Sequence, residues 1–485
     1  MLNPTPERIR QLQSQAQALE PGADERRALL DAVARHAELF WEQFSEQPTF
    51  YHPPDIGKGL YEAPIGEEPD DLARTLSLLL EQVDRSGLNT TSGGYMGYIP
   101  GGGLYHAALG DFLAAISNRY VGIYFGSPGA VRMENMLIRW LAQEVGYPDT
   151  MAGVFTSGGS MANLVGIVTA REAHGLRARD VERAPVYLSA QTHHSVRKAL
   201  RLAGLGECPV RYVPLDDGYR MRADALDQAI RADEAAGLRP WLVIATAGAT
   251  DTGAVDPLAD IAEIARRHGL WLHVDGAYGA AFALTSAGKK ILRGLEASDS
   301  FVMDPHKGLF LPYGSGAILV REGQRLRQAH TYEAHYMQDA QGDFDEMSPA
   351  DLSPELSRHF RGLRLWLPLK LVGVAPFRAA LEEKMLLARY FYQRLQEVPG
   401  FELGPYPDLS LVTFRYRPAR GDVNEFNRRL VQTIQQDGRI FLSSTMLDGR
   451  FTIRLVVLHY RTHLDTIEQA LTILRETAYK LERGE

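Results

Sequence analysis

A single cysteine, Cys208, stands in 485 residues. One thiol forms no internal disulfide and builds no multi-cysteine metal site, which excludes a disulfide-stapled secreted scaffold and a zinc ribbon. Long apolar runs are missing as well, none approaching the roughly 18 residues of a membrane span. The stretch "MLNPTPERIRQLQSQAQALEPGADERR" is polar and charged and lacks the apolar core and cleavage pattern of a secretory signal. A cytoplasmic protein without a membrane partner is the expectation. Positive charge is not in excess: 52 Lys and Arg against 60 Asp and Glu give a formal net charge of -8, no broad footprint for nucleic acid. Repeats and low-complexity segments are also lacking. What remains is an ordinary globular composition, 45% hydrophobic and 23% charged, long enough for more than one domain, and it directs attention to a small-molecule site.

Residues 1–85 are expected to form an amphipathic helical arm, as in "RRALLDAVARHAELFWEQF", interrupted by the Pro- and Gly-rich "YHPPDIGKGLYEAPIGEEP". Residues 86–374 are expected to form a large domain. From about 150 to 320 the runs "APVYLSA", "CPVRYVPL", "PWLVIATAGAT", "LWLHVDGA", "DSFVMDP" and "GAILVRE" alternate with helical stretches such as "VDPLADIAEIARRHG". Near-continuous apolar strands separated by helices predict an α/β domain with a mostly parallel sheet covered on both faces. Ligands of such sheets bind beyond the carboxyl ends of the strands. Residues 375–485, with the long helix "PFRAALEEKMLLARYFYQRLQEV", two strand-like runs and a closing helix from Thr462, are expected to be a smaller α+β domain.

Four places at or near predicted strand ends carry candidate chemistry. In "FTSGGSMANL", Gly158, Gly159 and Ser160 lead into a helix, whose free N–H groups and dipole can cradle phosphate; a plain strand-to-helix turn is the alternative. It matches neither GxGxxG nor a Walker A motif. "THHSVRKA" brings His193 and His194 to the start of a helix, where one of the pair can simply be a cap. Asp275 in "LHVDGAYGA" ends a buried strand, and a buried carboxylate needs a cation or a hydrogen-bond donor. Lys307 in "MDPHKGLFLPYG", beside His306, is a candidate nucleophile if burial or a neighbouring cation helps it lose its proton. Together the four fit pyridoxal 5'-phosphate, which requires a phosphate cradle, a lysine for a Schiff base, an acid on the ring nitrogen and a flat group against the ring.

With "TSGGSMANL", "THHSVRKA", "ATAGATDTGAVDP", "LHVDGAYG" and "DPHKG" in this order, the chain resembles the group II pyridoxal-phosphate-dependent amino-acid decarboxylases, which include aromatic-L-amino-acid and glutamate decarboxylases. The resemblance implies the aspartate aminotransferase-like fold type I and decarboxylation of an L-amino acid, with an aromatic one expected. It implies Lys307 as the Schiff-base lysine, Asp275 on the pyridinium nitrogen and His193 stacked on the ring. Gly159, Ser160 and His306 would bind phosphate, and Thr246 and Ala277 would lie against the cofactor. "GYMGYIPGGGLY" would place Tyr98 and Pro100 at the substrate. The family's intertwined homodimer, clasped by N-terminal helices, suits the arm.

Three departures bear on the reaction. Asp304 replaces the asparagine common in the family's "NPHK" and is expected to point away from the phosphate or bond to backbone. The stretch Asp339–Gly362, where the family carries a mobile-loop tyrosine, has none. Either Tyr336 or His335 delivers a proton in its place, or the product is an aldehyde formed with oxygen. "NTTSGG" replaces an aromatic residue before the pocket segment. Tyr95, Tyr98, Tyr105 and Tyr124 can line an aromatic pocket or pack a dimer core, while Arg358 or Arg361 can serve an acidic substrate. A metal hydrolase built on His193, His194, His273, Asp275 and His306, a non-catalytic scaffold, and a transaminase or carbon–carbon lyase stay open as alternatives.

Overall fold

The computed structural model describes residues 4–44, 47–331 and 345–484. Two compact units divide the chain, residues 1–92 and 93–485. In the first, helices Pro6–Ala16, Ala23–Gln43 and Leu72–Leu79 accompany a two-stranded pairing of Phe50–Tyr51 with Gly87–Leu88. Asp71 caps the last of these helices by accepting the Arg74 N–H, which satisfies one of its orphan donors. Helix Ala23–Gln43 has no fully buried residue, and Leu29, Leu30, Val33 and Leu39 on it are exposed.

The second unit is built on seven strands, β1 (Ala152–Thr156), β2 (Val186–Leu188), β3 (Val210–Tyr212), β4 (Leu242–Thr246), β5 (Trp271–Asp275), β6 (Ser300–Met303) and β7 (Gly316–Val320). They lie in the order β1-β7-β6-β5-β4-β2-β3. All neighbours are parallel except those of β7, which runs antiparallel to both β1 and β6. Successive residues of β4 show why the runs are apolar throughout: Leu242 and Ile244 pack into one core cluster, Val243 and Ala245 into another on the opposite face. The fold is therefore the expected type I architecture, with a mostly parallel sheet. Six of its strands coincide with the six apolar runs; β1 is an additional one.

A second sheet joins β8 (Phe401–Leu403), β9 (Leu411–Tyr416), β10 (Ser443–Leu447) and β11 (Arg450–Val456), all antiparallel, in the order β8-β9-β11-β10. Helices Ala375–Gln396, Val423–Asp437 and Leu464–Glu482 cover it through a core that includes Phe391, Phe414, Leu430, Ile453 and Leu474.

Register decides where chemistry is possible. Thr246 pairs with Asp275, and Asp275 with Val302, so β4, β5 and β6 end side by side. The turns leaving those ends carry Gly248, Gly276 to Tyr278, and Asp304 to Lys307. Among the described residues no helix is long and apolar enough to cross a membrane.

Candidate active site

The strand ends open into a cavity of about 270 Å³. Gly159 and Ser160 line it from one side, His193 from another, Thr246, Asp275 and Ala277 from the floor, and His306 and Lys307 from the remaining wall. Eight candidate residues spread over 149 positions of sequence thus face one space.

The glycine cradle forms because Gly158, at φ +151°, takes a backbone conformation closed to other residues, and helix Gly159–Ala173 starts immediately after it. A Cβ on Gly159 would stand 3.0 Å from the Asp304 carboxylate and from the Ala277 methyl, so only a bare backbone leaves room for an anion at the helix start.

Asp275 is buried, its Oδ2 accepting the Asn163 side-chain N–H at 3.0 Å and its Oδ1 the Ala277 backbone N–H at 3.2 Å. His193 caps helix His194–Leu202, its Nδ1 receiving the Ser195 N–H, and it also lines the cavity. Burial, countered by the charge of Asp275, holds its pKa below the usual histidine range. Thr246 is fixed through its backbone N–H, which donates at 2.7 Å to Asp256, a carboxyl that burial raises to about 6. The Thr246 hydroxyl is buried in this wall without a partner.

Lys307 stands in a short helix, Pro305–Gly308, where proline occupies the first position, suited to its fixed φ and missing N–H. Its Nζ lies 3.0 Å from Asp304 Oδ2. Asp304, expected to point away from the phosphate or bond to backbone, instead lines the cavity at 2% exposure, 3.7 Å from His306 Nε2 and with Oδ1 unpaired. The close packing of Gly159 against this carboxylate and the ammonium beside it hold it there. His306 contributes Nδ1 to the Ser315 carbonyl at 2.6 Å, and burial lowers its pKa.

Tyr98 and Pro100 are not part of this wall. Pro100 is buried and Tyr98 is 55% exposed at φ +50°, its ring 6.0 Å from Phe441. Their segment instead packs on the back of the lysine turn: a Cβ on Gly101 would lie 2.0 Å from the His306 carbonyl oxygen. Tyr95 and Tyr124 are buried elsewhere, and Tyr105 begins helix Tyr105–Ser117. Arg358 and Arg361 are not poised for an acidic substrate either. Arg358 pairs with buried Glu134 and donates to the Phe155 carbonyl, and Arg361 makes two hydrogen bonds to Glu355, at 2.7 and 2.9 Å. The metal-hydrolase alternative needs convergence, but His273 faces Ser300 and Asn163 while His306 faces Ser315. Among the described residues no three His, Cys, Asp or Glu side chains are grouped to hold a metal ion. Tyr336 and His335 lie outside the described residues.

Arg454 was missed from sequence, although a charge between Ile453 and Leu455 in an apolar strand was a visible signal. Its buried guanidinium donates to the carbonyls of Thr250, Asp251 and Tyr98 and to Ser443 Oγ, with no carboxylate at ion-pair distance among the described residues. Burial lowers its pKa. Asp251 acts against that shift, and Thr250, whose carbonyl Arg454 holds, lines the cavity.

The profile of the pyridoxal-dependent decarboxylase conserved domain matches residues 62–417. The chain belongs to this family. It is a pyridoxal-phosphate-dependent amino-acid decarboxylase, a lyase. Aromatic-L-amino-acid decarboxylase of Bacillus atrophaeus is 35% identical over 425 residues, 87% of this chain and 88% of that protein. Phenylacetaldehyde synthase of Arabidopsis thaliana is 27% identical over 85% of this chain and 87% of its own length. The structure of Oryza sativa TDC with PLP and tryptamine superposes with a TM-score of 0.89 at 26% identity, covering 96% of this chain and 99% of that one. The cavity fits the family's cofactor on its own terms: a glycine-started helix for a phosphate, the Lys307 amine and the Asp275 carboxyl on one lining, and an unpaired Thr246 hydroxyl with them.

Proposed function

We propose that the chain decarboxylates an aromatic L-amino acid to its amine and carbon dioxide in this cavity. One observation carries the residue assignment: Lys307 and Asp275, from different strand ends, face the same space that the glycine-started helix and His193 enclose. Pyridoxal phosphate, when bound, supplies the electron sink for the pair left behind as carbon dioxide departs. Lys307 is the amine that would hold it, Asp275 the acid for its ring nitrogen and His193 the flat group on its ring. Gly159, Ser160 and His306 would take the phosphate, with Thr246 and Ala277 against the ring. Arg454 is proposed to anchor the substrate carboxylate, because a buried guanidinium whose hydrogen bonds all go to neutral oxygens gains from an arriving anion. Tyr98, whose carbonyl shares Arg454 with that of Thr250, and Pro100 are proposed at the substrate side of the rim.

The aromatic preference is supported by the names of the relatives and by the engagement of Arg358 and Arg361 with acids of this chain. An aldehyde product, formed with oxygen, is the second reading, favoured by the absence of tyrosine from 339–362 and by the aldehyde synthase among the relatives. Mass spectrometry of products formed in air, with pyridoxal phosphate and a panel of aromatic and acidic amino acids, decides. An aromatic amine is the expected result, an aldehyde establishes the second reading, and a keto acid or no product overturns both.

A homodimer working in the cytoplasm is proposed, with an arm at 1–85, a large domain at 86–374 and a small one at 375–485. Helix Tyr105–Ser117 exposes Leu109, Phe112, Leu113 and Ile116, a stripe at helical spacing that supports a covering second copy. The exposed apolar side of helix Ala23–Gln43 supports a docking role for the arm, and the lone buried Cys208 suits a reducing compartment.

A further inference from the structure

Beneath Asp275 runs a chain of buried polar side chains with no role in the assignment above. Trp271 and His273 belong to β5, Ser300 to β6, Asn163 to helix Gly159–Ala173 and Ser195 to helix His194–Leu202. The Trp271 indole N–H donates to Ser300 Oγ at 2.8 Å, and Ser300 Oγ lies 2.8 Å from His273 Nδ1. His273 Nε2 is 2.9 Å from Asn163 Oδ1. The Asn163 amide N–H₂ donates to Asp275 Oδ2 at 3.0 Å and to Ser195 Oγ at 3.3 Å, and Ser195 Oγ lies 2.8 Å from His193 Nδ1.

Donor and acceptor chemistry leaves each proton in this chain one place. Only the N–H₂ end of Asn163 can face a carboxylate, so its oxygen faces His273 and requires a proton on Nε2 there. His273 is fully buried and its pKa is pushed down to about 4, so the ring is neutral and Nδ1 is bare. Nδ1 therefore accepts the Ser300 hydroxyl proton, and Ser300 in turn accepts from the indole, which can only donate. On the other branch Ser195 Oγ accepts from Asn163 and has its hydroxyl proton free for His193 Nδ1. The Ser195 backbone N–H points at the same nitrogen from 3.3 Å. With two donors aimed at it His193 Nδ1 is bare, and the ring proton sits on Nε2. The His273 ring packs closely on the glycine backbone of the helix, since a Cβ on Gly166 would be 2.5 Å from its Cε1.

We propose that Asn163 and His273 are positioning residues of the decarboxylation: through one amide they orient the Asp275 carboxylate and lock His193 as its Nε2–H tautomer. The proposal rests on the assignment of Asp275 and His193 to the cofactor ring. It accounts for a buried asparagine on the cavity lining and a fully buried histidine behind it, and it links Asp275 and His193 so that the two would be set together.

The first test is ¹⁵N NMR of the wild-type protein labelled at histidine, without added cofactor. Nitrogen shifts of the Nε2–H tautomer are expected for both His193 and His273; an Nδ1–H tautomer at either overturns the proposal. The second test is Asn163→Leu, similar in size but without hydrogen-bonding groups, loaded with pyridoxal phosphate. The expected result is a kcat at least tenfold lower with KM changed less than threefold, and a pH titration of the cofactor's visible absorption shifted by a unit or more. Lowered thermal stability with kcat and the titration unchanged would mean a merely structural role and overturns the proposal. If Asn163→Leu does not fold, the NMR result still decides. Failure of the cofactor assignment itself is distinguishable, because the wild-type protein would then develop no visible band with pyridoxal phosphate.

Discussion

Asp275, Lys307 and Asp304 bring two carboxylates and one ammonium to a single wall, and their charges set the strongest expectations at the residue scale. Two unit charges at hydrogen-bond range interact by about 4 kcal/mol at the effective dielectric of a protein surface. Losing such a contact in the transition state costs roughly a thousandfold in rate. Asp275→Ala is therefore expected to lower kcat by about that factor, and wild-type activity in this variant would sink the assignment. Asp304 works in the opposite direction, because it faces the helix start where a phosphate would sit. Asp304→Asn is expected to tighten pyridoxal phosphate binding about tenfold, a gain of roughly 1.4 kcal/mol, read by absorbance titration. An unchanged or weaker affinity would mean that the carboxylate does not face the phosphate. Lys307, Asp275 and His193 were legible as candidates because each follows an apolar run, where a polar side chain is conspicuous. The inward aim of Asp304 was not legible, since it depends on Gly159 and Lys307 arriving from other elements.

The elements hold these residues through contacts that tolerate little change. The segment around Gly101 lies against the carbonyl of His306, and an added methyl there must displace one backbone or the other. Gly101→Ala is expected to disturb the lysine turn, with activity falling more steeply than the melting temperature; equal activity in this variant would show that the turn is held from elsewhere. Glu134 on helix Pro128–Val145 accepts from Arg358 and from the Gly362 N–H at the start of helix Gly362–Val372. Glu134→Gln removes the nearer counter-charge of buried Arg358 and leaves it Glu355 at 3.9 Å, and a loss toward the low end of about 3–5 kcal/mol in unfolding free energy is expected in urea titrations. Five of the six apolar runs announced their strands because residues buried on both faces need no polar alternation; β3, at the sheet edge, is only partly buried. The antiparallel direction of β7 left no such mark, as strand direction changes hydrogen-bond geometry and not side-chain period.

For the whole molecule, pH acts through histidines buried as neutral rings. His273 has a folded-state pKa of about 4 against 6.5 when exposed, so between these values the unfolded chain binds a proton that the folded chain does not. Its contribution is fully present above pH 6.5 and is lost as pH falls toward 4, on the order of 3 kcal/mol in all. Asp256, raised to about 6 by burial, acts in the opposite direction over an overlapping window, so the loss is expected as a difference between the wild-type protein and His273→Asn in denaturant titrations. Association supplies a second expectation: Phe112→Asp, placing a charge in the exposed stripe of helix Tyr105–Ser117, is expected to shift the proposed dimer toward monomer in sedimentation. A dimer unaffected by it would place the interface elsewhere. By itself the sequence determined the fold class and the cofactor and pointed to eight residues that line the cavity, because buried strand ends, glycine turns and a lysine two places after a proline are local patterns. Only the tertiary structure decided the inward turn of Asp304, the engagement of Arg358 and Arg361, the neutral hydrogen-bond partners of Arg454 and the Asn163–His273 chain. Most of these depend on partners tens to hundreds of positions away, and hydrogen-bond direction at that range is set by packing, which no local pattern records.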